Sequence, residues 1–346
     1  MSSAPGQGRL TLADIARLAG VGLGTASRAL NNAPGVSAAT RQRVVEVAER
    51  HAYVVSPEAS KLAGGSTGRV AIVVPHLARW FFGAMLEALE AVFREADLDV
   101  LLYHVGGLQD RHDFFERLPA RRKVDAVVVV GFPVEEAERE RLELLGVQIV
   151  AAGGQHAVYP HVCIDDIEAG RQAVDHLVAL GHRAIAMIEA HDPDQPNRPS
   201  GRSAAYYGAL AAAGIPLDER LVVSTDWGGE EGAVAMARLL SNPTHPTAVY
   251  AHSDEVALGA LRSIRRIGLR VPDDISVIGI DDHPLATLAD LTTVAQPVAE
   301  QGRRAAELTL ALLRGTPPDE LAVTLPTRLV VRHSTAGPAP VPRRSP

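Results

Sequence analysis

The hydrophobic pattern of the chain changes near residue 69. Beyond that point, short continuous runs of valine, isoleucine and alanine alternate with stretches in which apolar residues recur every three to four positions. Continuous runs are typical of strands buried on both faces, and the helical stretches between them indicate parallel sheets covered by helices. Strands are predicted at 70–74, 100–103, 126–130, 148–152, 162–164, 184–188, 221–223, 248–251 and 275–280.

Helices are predicted between nearly all of these strands. Five examples are 83–96, 170–180, 203–213, 232–240 and 254–267. About 260 residues of alternating strands and helices are more than one such sheet usually takes, and this length suits two α/β lobes.

Residues 11–32, TLADIARLAGVGLGTASRALNN, follow a different pattern, which predicts two short helices and a glycine-bearing turn between them. Thr11 can cap the first helix, and Asp14 lies three positions on, where it can complete a capping box. The second helix begins near Leu23, and small apolar residues on its inner face permit a close helix crossing. This is the pattern of a DNA-binding helix-turn-helix, and an ordinary helical hairpin is the alternative.

A third helix and a linker follow. Ser37 is the predicted cap of a helix that ends near His51, and Tyr53 can close the small core. Residues 56–58, Ser-Pro-Glu, resemble a helix start with proline at the first helical position. A helix this short is not stable alone in water, so it needs a partner to order it. A plain flexible linker is the alternative.

Charge is distributed unevenly along the chain. Residues 1–69 contain eight Arg or Lys and four acidic residues, a net charge of +4, whereas the whole chain carries −7. A basic head on an acidic body indicates a head that binds phosphates.

The remaining composition favours a cytoplasmic protein. Cys163 is the only cysteine, so no internal disulfide is possible, which agrees with a reducing compartment. No apolar run approaches the roughly 20 residues that span a bilayer, and the amino terminus has no signal-peptide core.

Several motifs follow one another along the chain. They are TLADIARLAGV…TASRALNN…VSAATRQRVVEVAERHAY, VVPHLARWFFGAMLEALE, IDDIEAGRQAVDHLVALGH, the Arg202-x-x-x-Tyr206 region, DEVALGALRSIRRIGLRVPDDISVIGIDD and LTTVAQP. With these motifs, from Leu10 to about Arg332, the chain resembles the LacI/GalR family of bacterial transcription regulators. The resemblance implies a DNA-binding head, a hinge helix and a two-lobed effector-binding core like the periplasmic sugar-binding proteins.

The predicted fold class is a small all-α helix-turn-helix domain followed by a two-lobed, periplasmic-binding-protein-like α/β core with two doubly wound, mostly parallel sheets. By resemblance, three crossovers join the lobes, which are therefore discontinuous in sequence. The predicted domains are a disordered tail (1–9), the helix-turn-helix domain (10–54), the hinge helix and linker (55–68), the core (69–332) and a tail (333–346). Within the core, lobe 1 takes about 69–163 and 297–325, and lobe 2 takes about 164–296 and 326–332.

The resemblance places the second head helix in the major groove of DNA. Leu23 and Gly24 occupy the two positions that usually read bases, and neither has a side chain that can hydrogen bond, although Leu23 can touch a thymine methyl. Arg28 is the expected base-edge contact, because a guanidinium can grip guanine. Leu62 would wedge into the minor groove from the hinge helix. The expected phosphate or sugar contacts are Thr25, Ser27 and Asn31.

The resemblance also implies an effector site between the lobes, at the carboxyl ends of strands. The residues expected to bind the effector are Trp80, Phe82, Arg202, Trp227, Ser253, Asp281 and Gln296. Aromatic faces pack on the C–H surface of a sugar ring, while carboxylate, amide, hydroxyl and guanidinium groups bind its hydroxyls. Arg202 can equally hold a carboxylate or phosphate of the ligand, and His252 can compensate for the serine at 253. Asp165 and Asp166 are expected to cap the next helix.

The expected function is a sequence-specific transcriptional repressor whose operator affinity is controlled by a sugar or sugar derivative. The expected partners are double-stranded operator DNA, this small-molecule effector and a second copy of the chain, with a tetramer also compatible. No membrane, cofactor, metal or catalytic residue is expected. The alternatives are a sugar-processing enzyme and a pure sugar-binding protein. No nucleophile–base constellation supports the first, and the basic head opposes the second. The effector's identity, and whether it acts as inducer or corepressor, stay open.

Overall fold

The structure is a computed structural model of the chain, and it describes residues 10–30, 33–51, 53, 66–154, 159–191, 200–243, 245–316 and 318–339. These residues contain twelve α-helices and twelve β-strands, arranged as a three-helix head and two lobes. None of the helices within these ranges is both long enough and apolar enough to cross a lipid bilayer. The predicted hinge helix lies outside the described residues.

The head consists of α1 (Leu12–Leu18), α2 (Leu23–Leu30) and α3 (Ala38–Arg50). Thr11 and Asp14 form the predicted capping box, in which the Asp14 carboxylate accepts from the Thr11 backbone N–H at 3.0 Å. Ser37 caps α3 by accepting from the Thr40 N–H at 3.2 Å. Small side chains let the helices approach closely, and the buried core comprises Ile15, Ala16, Ala19, Ala26, Ala29, Val44 and Ala48.

The two lobes contain the remaining elements. The strands are β1 (Arg69–Val74), β2 (Asp99–His104), β3 (Ala126–Val130), β4 (Gln148–Ala152), β5 (His161–Ile164), β6 (Ile185–His191), β7 (Val222–Asp226), β8 (Ala248–Ala251), β9 (Ser276–Asp281), β10 (Thr292–Ala295), β11 (Ala322–Leu325) and β12 (Arg328–Val330). The helices are α4 (Trp80–Glu95), α5 (Leu108–Arg117), α6 (Glu136–Glu143), α7 (Asp166–Ala179), α8 (Gly201–Ala212), α9 (Gly229–Leu240), α10 (Asp254–Arg266), α11 (Pro284–Leu288) and α12 (Val298–Leu313).

Each lobe is built on a six-stranded sheet. The sheet of lobe 1 has the order β11-β5-β4-β3-β1-β2, and all its strand pairs are parallel. The sheet of lobe 2 has the order β12-β10-β9-β8-β6-β7, in which only β12 runs antiparallel to its neighbour. The chain therefore passes between lobes three times, after β5, after β10 and between β11 and β12. This is the predicted fold class.

Every strand predicted from the hydrophobic pattern is present; β3, β4 and β8 have the predicted ends, and the ends of the others are shifted by one to three residues. Three further strands, β10, β11 and β12, do not come from that pattern. β11 and β12 are short and partly exposed, and β10 begins with two threonines. None of the three forms a continuous apolar run, so we attribute their strand conformation to pairing with neighbouring strands. β11 and β12 are edge strands, and β10 lies next to β12.

The segment after β12 is bonded to lobe 2, although the sequence prediction assigned residues 333–346 to a tail. The Ser334 hydroxyl donates to the carbonyl of Val277 at 2.6 Å and accepts from the backbone N–H of Thr292 at 2.7 Å. Ala336 accepts from the His182 ring at 2.8 Å. The ordered core therefore continues at least to residue 336.

Candidate effector cleft and DNA interface

A cavity of about 170 Å³ lies between the two lobes. Its wall comes from residues at the carboxyl ends of strands in both sheets, where parallel α/β sheets place their ligand sites. From lobe 1 these residues include His76, Gly131, Gly153 and Ile164, and from lobe 2 they include His191, Trp227, Asp281 and Gln296. The volume gives room for roughly ten water molecules, on the scale of one small metabolite.

Five of the seven predicted effector residues line this cavity. They are Phe82, Arg202, Trp227, Asp281 and Gln296. Trp80 lies beside the cavity instead, with its indole 5.0 Å from the ring of His283. Ser253 is fully buried, and its hydroxyl caps α10 by accepting from the Val256 N–H. The structure therefore does not bring Trp80 and Ser253 to the cavity wall.

His252, predicted to compensate for Ser253, is also fully buried and is absent from the cavity wall. One ring nitrogen lies 3.3 Å from the carbonyl oxygen of Ala190, and the other lies 3.4 Å from the Ser203 hydroxyl. Burial, with a further contribution from the nearby Arg202 charge, lowers the pKa of His252 to about 3. The ring is therefore neutral. His252 contacts the cavity wall through its main-chain carbonyl, which accepts from Arg202.

Arg202 is the charged centre of the cavity. Its Nε donates to Asp166 Oδ1 at 2.8 Å, a second nitrogen donates to the His252 carbonyl, and Asp281 Oδ1 lies 3.7 Å away. Burial lowers the pKa of Arg202, but Asp166 and Asp281 raise it more, so the net shift is upward. Two carboxylates already compensate this guanidinium, which removes the need for an anionic ligand.

The two adjacent aspartates at the start of α7 have different roles. Asp165 caps the helix as predicted, because its Oδ1 accepts from the N–H groups of Ile167 and Glu168. Asp166 instead turns towards the cavity and pairs with Arg202. The prediction that both residues are caps is wrong for Asp166. The only signal for this role was its position directly after a buried strand.

Asp281 connects the cavity to the crossover between lobes. Its Oδ1 accepts from Gln296 Nε2 at 2.6 Å, and Gln296 Oε1 in turn accepts from Gln301 Nε2 at 3.0 Å. Burial raises the pKa of Asp281 to about 6, although Arg202 and Gln296 act in the opposite direction. Asp281 and Asp282 also have positive φ angles of 127° and 57°, a strained conformation for two successive non-glycine residues.

Arg79 is a cavity residue that sequence reasoning missed. Its Nε donates to Glu255 Oε2 at 3.0 Å, and its guanidinium carbon lies 4.6 Å from the centroid of the Trp227 ring. Arg79 belongs to lobe 1, while Glu255 and Trp227 belong to lobe 2. No local pattern signals this contact, because it depends on how the lobes meet.

The second head helix presents its predicted DNA-facing residues at the surface. Leu23 is 55% exposed, Gly24 is exposed with open space around it, and Arg28 is exposed with its Nε bonded to the Gly24 carbonyl at 3.1 Å. Thr25 and Ser27 are partly buried. Asn31 and Leu62 lie outside the described residues.

Arg41 supports this helix and was also missed. Its guanidinium donates to the carbonyls of Ala29 at 3.2 Å and Ala33 at 2.8 Å, at the carboxyl end of α2. A cation at this position satisfies helix carbonyls and interacts favourably with the helix dipole.

Known proteins resemble the chain over nearly its whole length. A family model described as "Bacterial regulatory proteins, lacI family" matches residues 11–56, and one described as "Periplasmic binding protein-like domain" matches residues 174–335. The HTH-type transcriptional regulator DegA of Bacillus subtilis (strain 168) is 32% identical, over 95% of this chain and 98% of DegA.

Two solved structures are also similar. A transcriptional regulator CelR–cellobiose complex is 32% identical, with a TM-score of 0.69, over 94% of this chain and all of that one. The lac repressor dimer bound to operator and the anti-inducer ONPF is 27% identical, with a TM-score of 0.81, over 95% of this chain and all of that one. On this evidence, the chain belongs to the LacI family of bacterial transcriptional regulators.

Proposed function

We propose that this protein is a dimeric repressor whose affinity for operator DNA is controlled by a small neutral polyol, most simply a sugar, bound between the lobes. The observation that carries this proposal is the cleft, whose lining combines the polar side chains of Asp166, Asp281 and Gln296 with the aromatic rings of Phe82 and Trp227. The similar CelR structure holds cellobiose and the similar lac repressor holds operator DNA. The protein would act in the cytoplasm, where the operator lies.

The charges of the cleft favour a neutral ligand. Arg202 is compensated by Asp166 and Asp281, and Arg79 is paired with Glu255. An anionic ligand would therefore place a further negative charge beside Asp166 and Asp281, and these carboxylates already engage Arg202. Sugar hydroxyls can instead donate to the carboxylates and accept from the Gln296 amide, with charge-assisted bonds the stronger ones. We assign no turnover to these carboxylates, because Arg202 and Gln296 engage them.

The cleft is placed where a ligand can change the relation between lobes. Its wall combines both sheets, and Gln296 lies at one of the three crossovers. A ligand shifts the equilibrium between lobe arrangements only by its different affinity for each. We infer that the shift reaches DNA through the hinge and Leu62, and that the heads contact DNA through Leu23, Gly24, Thr25, Ser27, Arg28 and Asn31.

A mobility-shift assay with genomic fragments tests the proposal. We expect specific retention of at least one fragment, and a change in its affinity when a sugar that raises the thermal midpoint of the protein is added. An Asp166→Asn variant should bind the same fragment but lose the sugar response. Absence of specific DNA binding, with and without every sugar in the panel, would refute the proposal.

A further inference from the structure

The Arg79 side chain lines the cleft and extends from lobe 1 to contact lobe 2. It arises from the loop between β1 and α4, and it is 18% exposed, while its partner Glu255 is 21% exposed. The ion pair at 3.0 Å holds the guanidinium in place above the indole of Trp227, 4.6 Å from the ring centroid. One face of the cleft's only tryptophan is thus covered by the protein's own cation.

A second set of contacts fixes the same loop to lobe 2. The Trp80 backbone N–H donates to Glu255 Oε1 at 3.3 Å, and the Trp80 indole lies 5.0 Å from the His283 ring. Glu255 therefore accepts from Arg79 at the end of the loop and from Trp80, the first residue of α4. This double attachment keeps the guanidinium of Arg79 in one position, which reduces the entropic cost of its stacking on Trp227.

We propose that Arg79 is a specificity-determining residue of the cleft: its guanidinium covers one face of the Trp227 indole, so a ligand ring can pack on that face only by displacing it. The ligand class in this inference rests on the proposed function, whereas the contact between Arg79 and Trp227 does not. It follows that a ligand must make enough bonds elsewhere, to Asp166, Asp281 and Gln296, to offset the loss of the Arg79–Trp227 contact.

The physical reason is that a guanidinium and a sugar ring need the same surface. A cation is attracted to the electron-rich face of an indole, and a planar guanidinium also stacks on it. A sugar ring packs its C–H groups on that face as well. Both cannot occupy it at once, so we expect a ring that forms few hydrogen bonds elsewhere in the cleft to compete poorly with Arg79.

The chain has two tryptophans, Trp80 and Trp227, which permits a direct test without ligand. In a Trp80→Phe background, the fluorescence of Trp227 is quenched with acrylamide. We expect Arg79→Ala to raise the quenching constant about two-fold, and Arg79→Lys to raise it less, since lysine keeps the charge but lacks the planar group. An unchanged constant in a folded Arg79→Ala protein would overturn the inference.

Arg111 supplies a matched control within lobe 1. Its guanidinium carbon lies 4.7 Å from the Phe132 ring centroid, and it forms an ion pair with Glu138. Arg111→Ala removes the same kind of contact away from Trp227, so the quenching constant should stay at the parent value. An equal rise in both variants would mean that loosening of the fold, and not uncovering of Trp227, exposes the indole, which would also overturn the inference.

Calorimetric titration with cellobiose, maltose, glucose and ribose tests the consequence for ligands. Any of these sugars that binds the parent should bind Arg79→Ala about five- to tenfold more tightly, and equal or weaker binding contradicts the competition. Binding to the variant alone supports it. If none of the four sugars binds either protein, none of them is the effector, and the quenching comparison alone decides this inference.

Discussion

Gly24 is the residue at which the fold of the head and its proposed contact with DNA make opposite demands. It lies inside α2, its φ is not positive, and a Cβ built there would have no neighbour within 4 Å. Gly24 is the second residue of α2, where glycine costs less than the roughly 0.5–1 kcal/mol relative to alanine of a helix interior. The fold of the head therefore gains nothing from glycine at this position.

We predict that Gly24→Ala stabilises the head by up to about 0.5 kcal/mol and weakens operator binding by roughly tenfold, because the methyl group separates the backbone from the base edges. Hydrogen exchange of α2 measures the first effect, and fluorescence anisotropy with an operator duplex measures the second. Undiminished operator affinity in this variant would show that the backbone at Gly24 does not approach the DNA.

His252 should make the stability of lobe 2 depend on pH. Its pKa of about 3 in the folded protein lies below the ordinary value of 6.5. Below pH 6.5 the unfolded chain therefore takes up a proton that the folded protein rejects, and the unfolding free energy falls by about 1.4 kcal/mol per pH unit. Asp281 has the opposite effect, because its raised pKa favours proton uptake by the folded state as the pH falls.

The variant His252→Asn isolates the histidine contribution. Whatever stability it loses at pH 7, we predict that its deficit relative to the natural chain shrinks by about 2 kcal/mol at pH 5, since only the natural chain loses the histidine contribution. Urea denaturation of both proteins at the two pH values gives the comparison. A deficit that does not change with pH would show that His252 accepts a proton while folded.

The sequence identifies which residues line the cleft better than it identifies the partners that their side chains contact there. The resemblance implies Asp281 and Gln296 as effector residues, and the structure finds both in the cavity wall. Arg79 and Arg202 have long side chains whose partners lie far away in sequence. The position of Arg202 follows from the resemblance, but its pairing with Asp166 does not. The contact of Arg79 with Trp227 needs the lobe arrangement, which no local pattern contains.

At the scale of elements, the contact between α9 and α10 requires a glycine at position 259, and the periodicity of apolar residues does not indicate this requirement. They pack so closely that a Cβ on Gly259 would overlap the carbonyl oxygen of Gly229 and lie 2.7 Å from the backbone nitrogen of Ala233. Both neighbours are main-chain atoms and cannot rotate away. Relief requires one helix to move away from the other.

We predict that Gly259→Ala destabilises lobe 2 by about 3 kcal/mol or more, at the upper end of the cost of overpacking. Gly208 in α8 is the control, because a Cβ there meets nothing within 4 Å. Gly208→Ala should raise stability by about 0.5–1 kcal/mol. Differential scanning calorimetry compares the two variants. A Gly259→Ala protein as stable as the control would show that the helices separate at little cost.

Strands were predictable from sequence where a continuous apolar run indicates burial on both faces of the sheet. β3 and β4, for example, have the predicted ends. β10 failed this criterion because Thr292 and Thr293 interrupt the apolar pattern, although both residues are buried. Their hydroxyls are satisfied by Thr335 and by Asp254. The residues of a strand do not by themselves predict it when their polar groups are satisfied by segments distant in sequence.

The whole molecule combines a basic head with an acidic body, and this asymmetry predicts how DNA binding responds to salt. Residues 1–69 carry a net charge of +4 within a chain of −7. Each phosphate that is neutralised releases counterions and contributes about −0.9 to the slope of log K against log salt concentration. Two heads of this charge would neutralise on the order of six to eight phosphates, which gives a slope of about −5 to −7.

We therefore predict that affinity for an operator duplex falls by about 10³–10⁴-fold between 50 and 200 mM KCl, as measured by fluorescence anisotropy.

The variant Arg28→Ala tests whether Arg28 contacts a base or a phosphate. If Arg28 reads a base, its loss should relax sequence preference and leave most of the slope intact, whereas loss of a phosphate contact in both heads would reduce the slope by about 2. A slope shallower than about −2 in the natural protein would contradict the idea that phosphate contacts of the basic head supply most of the affinity.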